Sequence, residues 1–298
     1  DAYRALDPNA RCAIEVMGGH GVITVKGEVT IKGQDEVEVA KIVSAVVGPE
    51  YQIKVRLVKQ SPEIAQGVDT GGAGDQGIMI GYACVDTANF MPLEYELARG
   101  LARHIYQQYP YDGKTQITVQ RSGQDNWRIK TVVASFQHAK SSDLEKLAKE
   151  FLAKYVDQQT EYFCNPSGDW QQGGVDADTG LTGRKIVVDA YGPRVPVGGG
   201  AFSGKDHTKV DRSGAYMARR VAVDLLRECK AKEVLVKLAY AIGRRDPVKA
   251  VALVDGVEEE LTGYDLSPAG IRTQLKLDTI KFAPLAEWGH FGNQRPWD

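Results

Sequence analysis

Three pairs of strand-forming segments, each joined by a short turn, constrain the fold of this chain most strongly. In the first pair, residues 12–17 and 22–31 carry alternating β-branched side chains, and Gly18 to Gly21 joins them as a hairpin. The other pairs are residues 115–120 with 127–136, around Ser122-Gly123, and residues 234–242 with 249–255. Helical segments accompany each pair. The pattern predicts an α+β fold of three similar units, each an antiparallel sheet with helices on one face.

Apolar spacing and turn residues predict the remaining elements. Residues 1–6 are predicted to be the end of a helix, and Ser267 with Pro268 is predicted to begin another. Further helices are predicted at 36–47, 92–108, 144–155 and 215–228, and single strands at 51–58, 78–84 and 184–191. The predicted boundaries are an N-terminal unit at 1–67, a central unit at 72–171 and a C-terminal unit at 172–298.

Composition excludes several classes of protein. The 298 residues are 43% hydrophobic and 26% charged, with a net charge of -2, so nucleic acid is not an expected partner. No apolar run is long enough for a membrane span, and no signal peptide opens the chain. The four cysteines are scattered and form no CxxC pair, which predicts reduced core thiols in a cytoplasmic protein.

The stretch from Gly198 to Ser213 carries the densest chemistry. Its glycines let backbone N–H groups approach a ligand, and a predicted helix follows at once. Positive charge comes from Lys205, Lys209 and Arg212, and two aspartates, Asp206 and Asp211, could hold a divalent cation. Together these residues indicate a site for a polyphosphate and a metal ion.

Two nucleotide-binding motifs match this sequence only formally. Residues 199–205 have P-loop spacing, but Asp206 stands where a P-loop needs Ser or Thr. Residues 72–77 match GxGxxG, but a loop precedes them and a strand-like run follows, unlike a dinucleotide fold. An ordinary surface loop remains an alternative for the first motif, and a ligand-covering loop or tight turn is expected for the second.

Polar residues elsewhere are ambiguous when each is taken alone. Glu15 and Glu28 lie on the first hairpin, and Gln60 and Asp75 flank the 72–77 loop. Asp112-Gly113-Lys114 precedes the second hairpin, and Asp178 opens a run that ends at Lys185. A glutamate on a strand is usually a solvated residue, and Asp-Gly-Lys is usually a turn.

Five motifs in order resemble one family. They are Gly-Ala-Gly-Asp-Gln-Gly (72–77), Thr-Gly-Leu-Thr-Gly-Arg-Lys (179–185), Gly-Gly-Gly-Ala-Phe-Ser-Gly-Lys-Asp (198–206) with Lys-Val-Asp-Arg-Ser (209–213), Tyr-Ala-Ile-Gly (240–243) and Gly-His-Phe-Gly (289–292). Across essentially its whole length the chain resembles methionine adenosyltransferase, also called S-adenosylmethionine synthetase. The resemblance implies synthesis of S-adenosylmethionine from ATP and L-methionine with Mg²⁺ and K⁺, in a cytoplasmic homodimer or tetramer whose active sites are shared between subunits.

The resemblance also implies a role for each matching residue. Catalytic contacts with the phosphates would come from Lys114, Arg184, Lys185, Lys205 and Lys209, with Asp112 orienting the ligands. The other implied ATP contacts are Ser167, Trp170, Ala201 and Ile242. Methionine would meet Glu28, Gln60, Asp75 and Asp178. Asp211 would bind magnesium, and Glu15 would bind potassium.

The sequence departs from the family pattern in three places. The family's His-Pro-Asp-Lys motif is expected upstream of residue 1, so an alternative is a shortened, catalytically impaired homologue that binds ATP or regulates a partner subunit. Asp169-Trp170 replaces Arg-Phe; Trp170 can still stack on adenine, but Asp169 reverses a charge near a polyanion. The loop between Gln60 and Asp75 is short, which implies altered gating of the site.

Overall fold

The computed structural model describes residues 1–32, 37–60, 71–123 and 126–298. These residues form two compact units. Unit 1 comprises Asp1–Met91 and Leu181–Asp298, and unit 2 comprises Pro92–Gly180. The predicted boundary at residue 67, the first residue of the helix predicted at 36–47, and most of the short loop before Asp75 lie outside the described residues, and the division into three units stays a prediction.

Helices and strands alternate irregularly along the chain. The helices are α1 (Ala2–Leu6), α2 (Val39–Val47), α3 (Leu93–Tyr106), α4 (Ser141–Leu152), α5 (Ile186–Asp189), α6 (Val210–Glu228), α7 (Pro268–Gln274) and α8 (Ala283–Ala286). The strands are β1 (Arg11–Gly19), β2 (Val22–Thr30), β3 (Gln52–Val58), β4 (Gly77–Cys84), β5 (Gly113–Arg121), β6 (Trp127–Phe136), β7 (Glu161–Cys164), β8 (Gly180–Leu181), β9 (Glu233–Tyr240), β10 (Lys249–Val254) and β11 (Val257–Glu260).

Three sheets organise these strands, which confirms the predicted α+β fold. Their strand orders are β3-β2-β1-β8, β11-β10-β9-β4 and β5-β6-β7. All three predicted hairpins form as antiparallel pairs. The sheets are not purely antiparallel, however, because β2 pairs with β3 and β6 pairs with β7 in parallel. Helices α2 and α4 lie in these two connections, and parallel neighbours require such a crossover.

Helix α6 covers the second sheet of unit 1, where it packs against β4 and β9. A Cβ at Gly81 would overlap the backbone of Ala218, so the glycine lets strand and helix approach closely. The core of unit 2 lies between its own sheet and its two helices, and includes fully buried Leu101, Leu144 and Val132. No helix among the described residues is both long and apolar enough to cross a membrane.

The strand predicted at residues 184–191 is wrong, because this segment is a turn followed by the single helical turn α5. Asp189 N–H donates to Lys185 C=O at 2.9 Å, which closes that turn. Val187 and Val188 are 39% and 61% exposed. The β-preference of valine reflects packing on a sheet surface, and these two exposed side chains have little packing of that kind. Strand β11 was not predicted, since its Glu258 to Glu260 run has no apolar alternation.

The cysteines only partly match the prediction of core thiols. All four are free; Cys84 is buried and Cys12 and Cys164 are half-buried, but Cys229 is exposed. Burial raises the pKa of the Cys12 thiol to about 11, which keeps it protonated and unreactive.

An aromatic cluster closes the core of unit 1 beside α6. Tyr216 stacks on Trp297 with ring centroids 3.6 Å apart, and its hydroxyl lies 2.7 Å from Nδ1 of buried His290. Phe202 meets the His290 ring edge to face at 5.0 Å. Burial lowers the pKa of His290 to about 3, so the folded chain holds this ring neutral.

We expect His290 to make the fold sensitive to acid. Below its ordinary pKa of 6.5 the unfolded chain binds a proton that the folded chain does not. The free energy of unfolding should therefore fall by about 1.4 kcal/mol per pH unit between that pKa and a pH of about 3. Urea titrations at several pH values in this range would show that the free energy of unfolding changes less with pH in His290→Gln than in the unaltered chain. His20→Asn, at the exposed hairpin turn, is the control. An equal pH dependence of the free energy of unfolding in both variants would contradict the role of His290.

Candidate active site

Two ion pairs organise the loop that precedes α6. Lys205 Nζ lies 2.8 Å from Asp211 Oδ2, and Lys209 Nζ lies 3.6 Å from Asp206 Oδ2. Asp211 stands in the first turn of the 19-residue helix α6, where the macrodipole favours negative charge. The structure therefore brings Lys205, Lys209 and Asp211 together at a helix N-terminus, as the sequence predicts for a polyphosphate site.

Asp206 has a structural task instead of the predicted metal-binding one. The residue is 2% exposed, and its carboxylate accepts the N–H groups of Cys12 and Thr208, each at 2.7 Å. The Asp206 N–H donates in turn to Cys12 C=O at 3.0 Å. Because its oxygens are committed to the backbone and to Lys209, Asp206 fixes the loop to β1 rather than offering a metal ligand.

Two glycines allow the loop to lie this close to its neighbours. Gly204 has φ +83°, and a Cβ there would overlap Ile14 C=O. Its own C=O accepts the Ile14 N–H at 2.9 Å. A Cβ at Gly200 would overlap the carboxylate of Asp211. Glycine is needed at both places because of close approach, and the loop is consequently held against β1 and the start of α6.

Arg212 does not serve the site as a cation. The sequence suggests it as positive charge for the ligand, but its side chain is buried and points into unit 1. Its Nε donates to Phe202 C=O at 2.7 Å, and its guanidinium lies 4.3 Å from the centre of the Phe282 ring. Arg212 therefore anchors the loop from the interior, since successive residues of a helix face different directions.

The turn before α5 lies next to the glycine loop. The Thr182 N–H donates to Val16 C=O, and the Thr182 hydroxyl accepts the Val16 N–H, each at 3.0 Å. Gly183 approaches the half-buried Ala201, since a Cβ at Gly183 would lie 2.9 Å from that of Ala201. Arg184 and Lys185 follow with exposed side chains. Two of the predicted phosphate contacts thus stand beside the loop that carries Lys205.

The loop of residues 72–77 pairs with the turn after β9. Ala73 N–H donates to Arg244 C=O, and Ala73 C=O accepts the Gly243 N–H, both at 2.8 Å. This places exposed Asp75 and Ile242 on two loops that are bonded together. Gln60 is half-buried, and its Oε1 has no hydrogen-bond partner within the described ranges. The pairing makes the 72–77 loop a neighbour of β9 and not the strand-to-helix turn of a dinucleotide fold.

Glu15 and Glu28 share one side of the first sheet. This open face consists of Ala13, Glu15 and Met17 of β1, Thr24, Lys26 and Glu28 of β2, and Lys54, Arg56 and Val58 of β3. It lies opposite the side that buries Ile23 and Val25. Both carboxylates are exposed, and Lys26 stands directly opposite Glu15. Sequence reasoning missed Lys26, although its alternation with Glu28 along β2 places it on this face.

Unit 2 carries five of the predicted site residues. Asp112 Oδ2 accepts the Gly174 N–H at 2.9 Å, which holds the segment that leads to Asp178. Trp170 is half-buried, and its Nε1–H donates to Asn165 Oδ1 at 3.2 Å. Lys114, Ser167 and Asp178 are exposed. Asp112 therefore orders its surroundings within unit 2, whereas Lys114, Ser167 and Asp178 are open to solvent.

Asp169 is used as a helix cap. Its Oδ1 accepts the Ser141 N–H at 3.0 Å and the Ser141 hydroxyl at 2.8 Å, at the first residue of α4. These hydrogen bonds lower the pKa of Asp169. Its negative charge is therefore compensated at a helix N-terminus, which answers the concern that it opposes a polyanion.

We expect Asp169→Ala to lower the free energy of unfolding, because the first N–H of α4 loses its capping acceptor. Asp169→Arg, which restores the charge of the family pattern, should cost at least as much because a cation meets the positive end of α4. Chemical denaturation would measure both changes. Asp157→Ala is not a suitable control, because the exposed Asp157 carboxylate accepts the Gln159 N–H. Asp178→Ala is the matched control, and an equal loss there would contradict the cap.

Within the described part of the chain, no group of three metal-ligating side chains occurs. Of the two carboxylates in residues 198–213, Asp206 is committed to backbone N–H groups, whereas Asp211 pairs with the Lys205 ammonium. A single carboxylate is typical of magnesium sites completed by substrate phosphates and water. The donor set fits a metal that arrives with a nucleotide.

Comparison with known proteins identifies what this chain is similar to. The sequence models of two domains match: S-adenosylmethionine synthetase, central domain, at residues 70–170, and its C-terminal domain at residues 172–298. The S-adenosylmethionine synthase of Mycoplasmopsis pulmonis is 38% identical over 336 residues, covering 100% of this chain and 89% of the relative. That of Thermus thermophilus is also 38% identical, over 352 residues, with the same coverages. The solved structure of an unusual S-adenosylmethionine synthetase from Campylobacter jejuni has a TM-score of 0.86 at 29% identity, covering 100% of this chain and 90% of that one.

Proposed function

This chain belongs to the S-adenosylmethionine synthetase family, and we propose that it joins L-methionine to the adenosyl group of ATP by a single displacement. Family membership makes it a methionine adenosyltransferase, an ATP-binding transferase of S-adenosylmethionine biosynthesis. The observation that carries the proposed reaction is the arrangement of Lys205, Lys209 and Asp211 where α6 begins. A site of this kind suits a leaving group with several negative charges.

In the proposed step the methionine sulfur donates a lone pair to C5′ of ATP and forms the new S–C bond. The C5′–O bond breaks, and its electron pair leaves with the triphosphate. Water then cleaves the triphosphate into phosphate and pyrophosphate. A thioether sulfur is a good nucleophile without deprotonation, so the chain must supply orientation and charge stabilisation rather than a general base.

Lys205 and Lys209 would carry the charge stabilisation. Each ammonium is paired with an aspartate, at 2.8 Å and 3.6 Å respectively. A phosphate oxygen can replace these carboxylates as the partner, and the lysines are already held in place for it. Preorganised cations of this kind stabilise charge that develops in the transition state without further rearrangement. Arg184 and Lys185, on the adjacent turn, would hold other phosphate oxygens.

Asp211 would hold Mg²⁺ together with the phosphates, and the bound ion would neutralise part of the leaving charge. Potassium fits less well. Glu15, its implied ligand, is an exposed carboxylate that faces the ammonium-bearing residue Lys26 across the hairpin. We therefore assign no step to potassium. Glu28 and Asp75 would take the ammonium of methionine, with Gln60 as a further contact, and the contact of Asp178 with methionine stays a prediction.

Methionine-dependent turnover tests the reaction. With ATP, L-methionine and Mg²⁺, we expect equal amounts of S-adenosylmethionine, phosphate and pyrophosphate, measured by mass spectrometry and phosphate assays. Omitting methionine should abolish release of all three. Phosphate release that does not depend on methionine would instead support an unrelated nucleotidase, and a complete absence of product would contradict the proposed function.

We also propose a homodimer assembled through the open face of the first sheet. Met17 and Val58 are each 51% exposed there, among charged side chains. Apolar side chains on an exposed sheet face favour a two-fold symmetric interface. Light scattering should give a mass well above the 32.6 kDa of one chain, and a monomer at all concentrations would exclude this proposal.

A further inference from the structure

A row of three charged side chains crosses the open face. The β1–β2 register places Lys26 directly opposite Glu15, and the β2–β3 register places Arg56 beside Lys26. All three residues are exposed. Directly opposed residues of antiparallel strands have Cβ atoms about 4.5–5.5 Å apart. The long stem of Lys26 can therefore bring its ammonium to the carboxylate of Glu15.

Lys26 also neighbours the second carboxylate of this face. Glu28 is two residues farther along β2 and points to the same side, while Ala13, directly opposite Glu28, contributes only a methyl group. The other lysine of the face, Lys54, stands in the next row, opposite Thr24. Lys26 is thus the lysine adjacent to both Glu15 and Glu28.

A free monovalent cation is poorly accommodated beside these residues. Hard cations prefer several oxygen ligands, and the described ranges hold no cluster of three His, Cys, Asp or Glu side chains. An ion at Glu15 would also meet Lys26 at short range, and like charges placed directly opposite each other are destabilising. The position that the family resemblance gives to potassium already has a covalently attached positive charge.

We propose that the Lys26 ammonium replaces the monovalent cation of this active site. It neutralises Glu15 and positions Glu28 for the ammonium group of methionine, so turnover does not need potassium. A tethered charge is present at a high effective concentration whatever the salt. Lys26 is then a positioning residue that acts through two carboxylates. This inference rests on the proposed function, because it concerns the same site.

The test compares two salts and two variants. S-adenosylmethionine formation is measured in KCl and in tetramethylammonium chloride, both at an ionic strength of about 0.1 M so that screening is equal. The rate of the unaltered chain should differ by less than about twofold between the two salts. Lys26→Met should be slower by about tenfold or more in tetramethylammonium and should recover most of this loss in KCl. Lys41→Met removes the same charge from the surface of α2, outside the open face, and should behave like the unaltered chain.

Thermal unfolding supplies a second readout. The midpoint temperature of Lys26→Met should be higher in KCl than in tetramethylammonium chloride, and that of the unaltered chain should be the same in both salts. Tenfold stimulation of the unaltered chain by potassium would overturn the inference while leaving the proposed function intact. A Lys26→Met variant that is fully active in both salts, or inactive in both, would also overturn it. If the unaltered chain forms no product in either salt, the proposed function and this inference both fail.

Discussion

Lys205→Met is expected to slow S-adenosylmethionine formation by at least about 100-fold, the usual effect of removing one preorganised charge-stabilising group. The substitution keeps the aliphatic stem and removes the ammonium that pairs with Asp211 at 2.8 Å. The loss should appear mainly in kcat, since the leaving charge develops in the transition state. Steady-state kinetics with varied ATP and methionine would measure it.

Lys41→Met is the matched control for Lys205→Met. Its ammonium pairs with Glu38 on the surface, where both side chains are more than 70% exposed. Removing this pair changes the net charge equally but should leave turnover unchanged. A far-ultraviolet spectrum and a thermal melt would verify that both variants fold. Comparable rates for the two variants would refute the role of Lys205 and the site built around it.

Arg219→Met should lower the free energy of unfolding by about 3–5 kcal/mol, because it removes a fully buried cation from an ionic network. The Arg219 side chain is 0% exposed, and its Nε lies 2.9 Å from Asp298 Oδ1. Its two terminal nitrogens donate to the C=O groups of Tyr82 at 2.7 Å, Asn89 at 2.8 Å and Phe90 at 3.0 Å. Methionine fills similar space but removes one donor from each of these three carbonyls and the positive charge beside Asp298. The Asp298 carboxylate then keeps the N–H groups of Gly292, Asn293 and Arg295.

The next residue provides an unusually close control. Arg220 lies on the exposed side of the same helix and pairs with Asp224 at 2.9 Å, four residues along. Arg220→Met should therefore cost no more than about 0.5 kcal/mol. Urea denaturation of the full chain, monitored by circular dichroism, would compare the free energies of unfolding of the two variants. Similar midpoints for both variants would show that the Arg219 network contributes little to stability.

Local patterns in the sequence predict most elements of this fold. The hairpin of β1 and β2 follows from alternation and a glycine turn, both properties of neighbouring residues. The cap of α7 was also predicted, and Ser267 Oγ accepts the Gly270 N–H at 3.1 Å. Pairings between distant segments could not be predicted. Strand β4 joins β9, more than 140 residues away by sequence, and only the folded chain shows which edges meet.

The site shows the same limit at the level of single residues. The spacing of Lys205, Lys209 and Asp211 around a helix start predicts their meeting, because helix geometry is local. Asp206 and Arg212 have structural roles instead of the predicted ligand-binding ones. These roles depend on β1 and the aromatic core, and the sequence does not show that either lies beside the loop. Lys26 was missed for a related reason, since cross-strand neighbours depend on register rather than on sequence distance.

The hydrogen bond between Cys12 N–H and Asp206 has a consequence for synthesis of the protein. Its partners are 194 positions apart, and residues 92–180 form a separate compact unit between them. As the chain emerges from a ribosome, that inserted unit has all its residues before the loop that meets β1 has been translated. The contact between this loop and β1 can therefore form only after the whole inserted unit has been translated, and until then β1 has only its hairpin partner β2.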